Sequence, residues 1–232
     1  MGLRNMKEAR ERLRWSQQKA AAELGVSQSY LSMLETGDRP LPAGLHKRMV
    51  RAYKLPPTSI PVTCRHWTPR SADPQSLAEE LAALGYPGFA YLRWRQPRRN
   101  PAEVLLTALA QDHLEARLFE ALPWLLLKYW DLDQVWLAQQ SRLHDLQNRL
   151  GFVVSMAREA GQRASFADSA RQAALEKLEA TLQPGLLARE EPLGQLSLSD
   201  VELAWLKNHR SEEARKWNLL TDWRLENLRY VA

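Results

Sequence analysis

The chain has 232 residues, 45% hydrophobic and 25% charged, with 32 Lys+Arg against 27 Asp+Glu for a formal charge of +5. That composition suits one or two soluble domains, and a single cysteine excludes a disulfide framework or a multi-thiolate metal site and fits a reducing cytosol. The most apolar stretch, residues 122–130, is far shorter than the ~20 residues of a membrane span, and residues 1–5 hold no apolar secretory segment, so no membrane and a cytoplasmic location are expected.

The first 55 residues read as short helices separated by turn signals. Leu3, Met6, Arg10, Leu13 and Trp15 outline a first amphipathic helix. Ser16 is placed to cap a second, which Gly25 closes, and Ser27 to cap a third that runs to about Glu35 and stops at Gly37. A fourth spans roughly 42–54 with Leu45, Met49, Val50 and Tyr53 inward. Pro56, Pro57, Pro61, Pro69 and Pro74 then make 56–75 an extended linker, in which Cys64 and His66 lack further metal-ligand partners.

Beyond the linker the helical period returns. Residues 76–84 suit a helix ending at Gly85, and 86–99 form a short strand or an irregular aromatic and basic arm. Asn100, Pro101 and Glu103 have the spacing of a capping box before a helix through His113. Pro123 is expected to interrupt 114–130, residues 131–160 hold one long helix or a pair, and 166–182 a polar helix. From Ser199 a last helical region is expected to run nearly to Tyr230. The expected fold is all-α: a helix-turn-helix bundle over 1–55, the linker over 56–75, and a larger helical domain over 76–232.

Charge follows the same division. Residues 1–70 contain thirteen Lys/Arg and five Asp/Glu, a net of +8, whereas residues 71–232 carry a net of −3. A basic module on a slightly acidic body suggests that the first part faces nucleic acid. Its central string, residues 15–39, has a separate reason for each part. Ala20, Ala21 and Ala22 are small enough for two helices to cross closely, Gly25 permits the turn between them, and Val26 plugs it. Leu31 and Leu34 fall on one face of the third helix, which leaves Gln28, Ser29, Ser32 and Met33 on the other, with no acid among them. A helix entering a phosphate-lined groove needs such a face, and a Gln amide suits bidentate pairing with adenine.

These residues closely resemble the Cro/CI-type, lambda-repressor-like helix-turn-helix family: Ser16-Gln17, Ala21, Gly25-Val26-Ser27, Leu34-Glu35-Thr36-Gly37 and Arg39 stand in its pattern. The resemblance implies a lambda-repressor-like bundle and double-stranded operator DNA as ligand. It assigns base contacts to Gln28, Ser29 and Met33, a phosphate or base contact to Gln17, and phosphate or sugar contacts to Ser27, Tyr30, Ser32 and Arg39. It also implies a homodimer on a two-fold site. Trp15 departs from the family's smaller aliphatic residue, and Asp38 stands where Lys or Arg is common, weakening one backbone contact.

After residue 70 no catalytic constellation, phosphate loop or metal-ligand spacing stands out, so no enzyme activity, cofactor or metal is expected. Trp124, Trp130 and Trp136 read as core fillers, whereas Trp67, Trp94, Trp217 and Trp223 have charged flanks and read as partly exposed. Exposed tryptophan beside arginine is interface composition, which makes Arg93, Trp94, Arg95, Trp217 and Trp223 candidate partner contacts. Regulators that join such a reader to a helical body are often antitoxins. The leading expectation is therefore an autoregulating repressor whose body neutralises a toxin, and the alternative a ligand-sensing regulator with no toxin partner.

Overall fold

The computed structural model describes residues 3–62, 67–92, 96–162, 168–195 and 197–230. It is all-α, with twelve α-helices and one minimal pair of strands among the described residues, and it divides into two compact units. Among the described residues no helix is long and apolar enough to cross a membrane.

The smaller unit comprises residues 1–64 with 98–100. Its helices are α1 (Leu3–Arg12), α2 (Gln17–Leu24), α3 (Gln28–Thr36) and α4 (Ala43–Ala52). Their apolar stripes meet in one core of Met6, Ala9, Ala20, Ala21, Leu24, Leu31, Leu34, Leu45, Met49 and Tyr53. Ala20 and Ala21 are buried where α2 packs on α3, as close crossing demands. Trp15 is half-buried against this core, edge-on to Tyr53 at 5.9 Å, so the larger residue is accommodated as packing. A 3-10 turn, Pro57–Ser59, follows α4, and the Asn100 amide donates to the carbonyls of Thr58 and Ile60 at 3.0 and 2.7 Å.

The larger unit holds residues 65–97 and 101–232. Its helices are α5 (Pro74–Ala83), α6 (Pro101–Leu109), α7 (Ala116–Lys128), α8 (Gln134–Leu143), α9 (Gln147–Ala160), α10 (Ser169–Leu182), α11 (Asp200–His209) and α12 (Glu212–Lys216). Residues from Gln147 to Ala157 are all buried, so α9 is the axis on which α7, α10 and α12 pack. Two-residue strands β1 (Glu191–Pro192) and β2 (Leu219–Leu220) pair in parallel and tie the loop after α10 to the segment after α12.

Three expectations change. Pro123 lies inside α7 and does not end it: Leu118, Phe119, Ala121, Leu122 and Trp124 through Leu127 are buried on both sides, and that burial outweighs a missing backbone hydrogen bond. The last helical region stops at Lys216, because Leu219 and Leu220 enter the strand pair and only a 3-10 turn, Leu225–Asn227, follows. Finally, Trp67 is buried, edge-on to Trp136 at 6.2 Å and His144 at 5.1 Å, and the Gln111 side chain holds the Arg70 carbonyl and the Ala72 N–H, each at 2.9 Å. Residues 67–72 are therefore packed to the larger unit rather than extended free of it.

Candidate nucleic-acid interface

The turn between α2 and α3 is built from capping chemistry. Ser16 Oγ accepts from the Lys19 N–H at 3.1 Å and Ser27 Oγ from the Tyr30 N–H at 3.2 Å. Between the caps, Gly25 takes φ +63°, a left-handed conformation that glycine adopts without strain. Gly37, at φ +89°, ends α3 and sends Arg39 outward.

The turn fixes which side of α3 faces out. Leu31 and Leu34 are 0% exposed; Gln28 and Ser29 are exposed, and Ser32 and Met33 half-buried. Ser27 and Arg39 are exposed and Tyr30 half-buried against the core. The structure thus brings Ser27, Gln28, Ser29, Ser32 and Met33 to one end and side of α3, with the free N–H groups of its first turn beside them.

The one acid of α3 is turned inward. Glu35 Oε1 accepts from Arg10 Nε at 2.7 Å and Oε2 from Arg10 Nη2 at 3.0 Å, a bidentate pair whose side chains are only 8% and 3% exposed. Arg10 also donates to the Trp15 carbonyl at 2.8 Å. Burial pushes the Glu35 carboxyl up, but the hydrogen bonds from Arg10 and Gln17, with the Arg10 charge, outweigh it and leave the group below the usual carboxylate range. Gln17 is half-buried and donates its amide Nε2 to Glu35 Oε2 at 2.9 Å. One of its two amide hydrogens is thereby committed and the other has no partner among the described residues. Arg10 and Glu35 were not among the expected site residues; the signal for them was an arginine within the apolar stripe of α1 and a single acid in α3.

Asp38, also exposed, accepts from Thr36 Oγ1 at 2.5 Å and places a negative charge just past α3. Asp38→Lys is expected to tighten duplex binding and steepen its salt dependence by about 0.9 in log–log slope, one extra phosphate contact, in gel shifts at two salt concentrations.

The partner candidates separate. Arg93, Trp94 and Arg95 lie outside the described residues. Trp217 is not a surface contact: it is 0% exposed, and its Nε1 donates to Ser155 Oγ at 2.8 Å. Its charged neighbour Lys216 is exposed along its stem, but its ammonium pairs at 2.5 Å with Glu179, a buried acid that Ser155 and Arg158 also donate to. Trp223 is half-buried on Phe119, with ring centroids 4.7 Å apart. Among the described residues the tryptophan that does stand out is Trp205 of α11, 49% exposed and stacked on His209 at 4.3 Å.

Residues 6–60 match the helix-turn-helix family model. No curated protein and no solved structure matches the chain.

Proposed function

We propose, from the premise that residues 6–60 are the Cro/CI-type helix-turn-helix domain of a DNA-binding transcriptional regulator, that this protein represses its own operon. One observation carries the reading: α3 presents Gln28, Ser29, Ser32 and Met33 free of carboxylates, while its only acid is locked inside by Arg10. Gln28, Ser29 and Met33 read base edges; Gln17, Ser27, Tyr30, Ser32 and Arg39 fix the register on phosphate and sugar. A homodimer spans two half-sites one helical turn apart, and the protein works in the cytoplasm without catalytic activity or cofactor.

Gln28→Ala with Met33→Ala is expected to cut the preference for the operator over scrambled duplex by tenfold or more, about 1–3 kcal/mol per lost base contact, while salt-sensitive binding to any duplex persists. Equal preference in the variant and the original would overturn the recognition-helix assignment.

The larger unit acts as antitoxin toward the product of a neighbouring gene. A half-exposed tryptophan beside the 80% exposed Val201 on the same face of α11 supports a protein-docking role for the body. The neighbouring gene should arrest growth when expressed alone and become harmless when this chain is co-expressed; a harmless neighbour refutes the role. One feature favours a sensor instead, a shallow cleft of about 330 Å³ lined by Leu132, Asp133, Gln134, Val135, Lys177 and Thr181. On that reading a small metabolite raises the melting temperature or shifts operator affinity.

A further inference from the structure

Helix α4 turns three cations to one side, and a fourth follows just past its end. Lys47, Arg48, Arg51 and Lys54 are all exposed, and at 100° per residue the three on the helix fall within about 100° of its circumference. None of the four side chains forms an ion pair or a hydrogen bond among the described residues. Of the five acids in residues 1–70, Glu35 faces Arg10, Glu11 faces Lys7 and Arg10, and Asp38 faces Thr36, while Glu8 and Glu23 are exposed and pair with none of the four.

This array repels itself. Lys47 and Arg51 are four apart and Arg48 and Arg51 three apart, spacings at which like charges destabilise a helix. The helix dipole favours cations in the last turn, which accounts for Arg51 but not for Lys47 and Arg48 in mid-helix. Lys54 also adopts φ +52°, a left-handed position just past the helix where glycine fits without strain.

The array is continuous with the reader. Arg48 Nη1 lies 3.5 Å from where a Cβ on Gly25 would sit, so its guanidinium rests over the turn that precedes α3. At the head of the same face is Gly44, with nothing within 4 Å of an added Cβ, which leaves the approach open. Resting on the DNA-binding reading of residues 6–60, we infer that Lys47, Arg48, Arg51 and Lys54 form a second phosphate-contact track. It grips duplex outside the base pairs read by α3. From Lys47 to Arg51 the helical rise is about 6 Å, enough for about two phosphates of one strand at 3.4 Å of duplex axis each, and Lys54 extends the track past the end of α4.

The test uses the full chain with Lys47, Arg48, Arg51 and Lys54 all replaced by Gln, a change confined to exposed positions that keeps good helix formers. Circular dichroism and the thermal transition confirm that the helices persist. Duplex affinity is then measured between about 50 and 200 mM salt, alongside hydroxyl-radical footprints. The variant is expected to bind every duplex more weakly, with the log–log salt slope shallower by about 2–3. It should lose protection at phosphates flanking the half-site, and its operator preference should be unchanged. An unchanged slope and footprint overturn the track while leaving the DNA-binding reading intact. A gain in affinity overturns it too, showing that the array holds an acidic protein segment. An original chain that binds no duplex at all overturns the DNA-binding reading, and the track with it.

Discussion

Gly151→Ala is expected to destabilise the larger unit by about 2–4 kcal/mol, although the substitution improves helix propensity. A Cβ at this position of α9 would lie 2.3 Å from Cε3 and Cζ3 of Trp217, a separation that no relaxation of α9 alone can absorb. The indole must therefore leave its slot, losing the burial of a fully enclosed ring and the 2.8 Å hydrogen bond to Ser155. Emptying a tryptophan site typically costs about 3–5 kcal/mol, whereas exchanging glycine for alanine inside a helix returns about 1 kcal/mol, so the clash decides the sign. Trp217→Ala alone should cost about as much as the slot is worth. Adding Gly151→Ala to it should cost nothing further, since the methyl then enters the vacated space, and denaturant midpoints of the four proteins test this non-additivity. Strictly additive losses would show that the two residues act separately. The experiment also bears on partner binding, because an indole plugged into α9 fastens the segment after α12 to its own body instead of offering it to another protein.

The reader was legible in the sequence because its determinants are local. Ser16 and Ser27 cap helices two or three residues away, and Gly25 and Gly37 adopt the left-handed conformations their positions require. The exposed face of α3 followed from spacing alone. The body resisted because its decisive contacts are long-range. Lys216 and Asn218 flank Trp217 with polarity, which reads as surface, yet Lys216 meets Glu179 and Asn218 donates to the Leu187 carbonyl at 2.8 Å. A charged neighbour reports exposure only when its counter-ion is in solvent, and here the counter-ion is buried 37 residues away in the chain. Pro123 misled for a related reason: its local cost is fixed, but the burial that offsets it comes from helices distant in sequence. Tyr129 shows the same dependence, since the phenol that closes α7 donates to the Leu84 carbonyl at 2.7 Å, and burial pushes its pKa up to about 12.

The Arg10–Glu35 pair links these two kinds of information, for it joins α1 to α3 and holds the first side chain of α2. Arg10→Met is expected to cost the smaller unit about 3–5 kcal/mol, because it strands a carboxylate that is 3% exposed. In the original chain Glu35 is depressed, so its contribution is present above the unfolded carboxylate pKa and is lost as pH falls through the lower folded value. The smaller unit should therefore weaken below about pH 4. In Arg10→Met the main cause of the depression is gone and burial raises the folded pKa instead. The sign then reverses, and the variant should be more stable at pH 5 than at pH 7. Amide hydrogen exchange over residues 3–62 reads this unit separately from the larger one. Replacing both partners, Arg10→Met with Glu35→Leu, removes the buried charges together and should restore most of the protection, since a buried ion pair is often worth no more than an apolar pair of similar volume. Operator binding should not recover in step, because Gln17 then has no acceptor to hold its amide at the start of α2. A double variant that regains both stability and full operator affinity would show that the pair is scaffold alone. One that regains stability but binds several-fold more weakly places Arg10 and Glu35 among the residues that position the DNA contact.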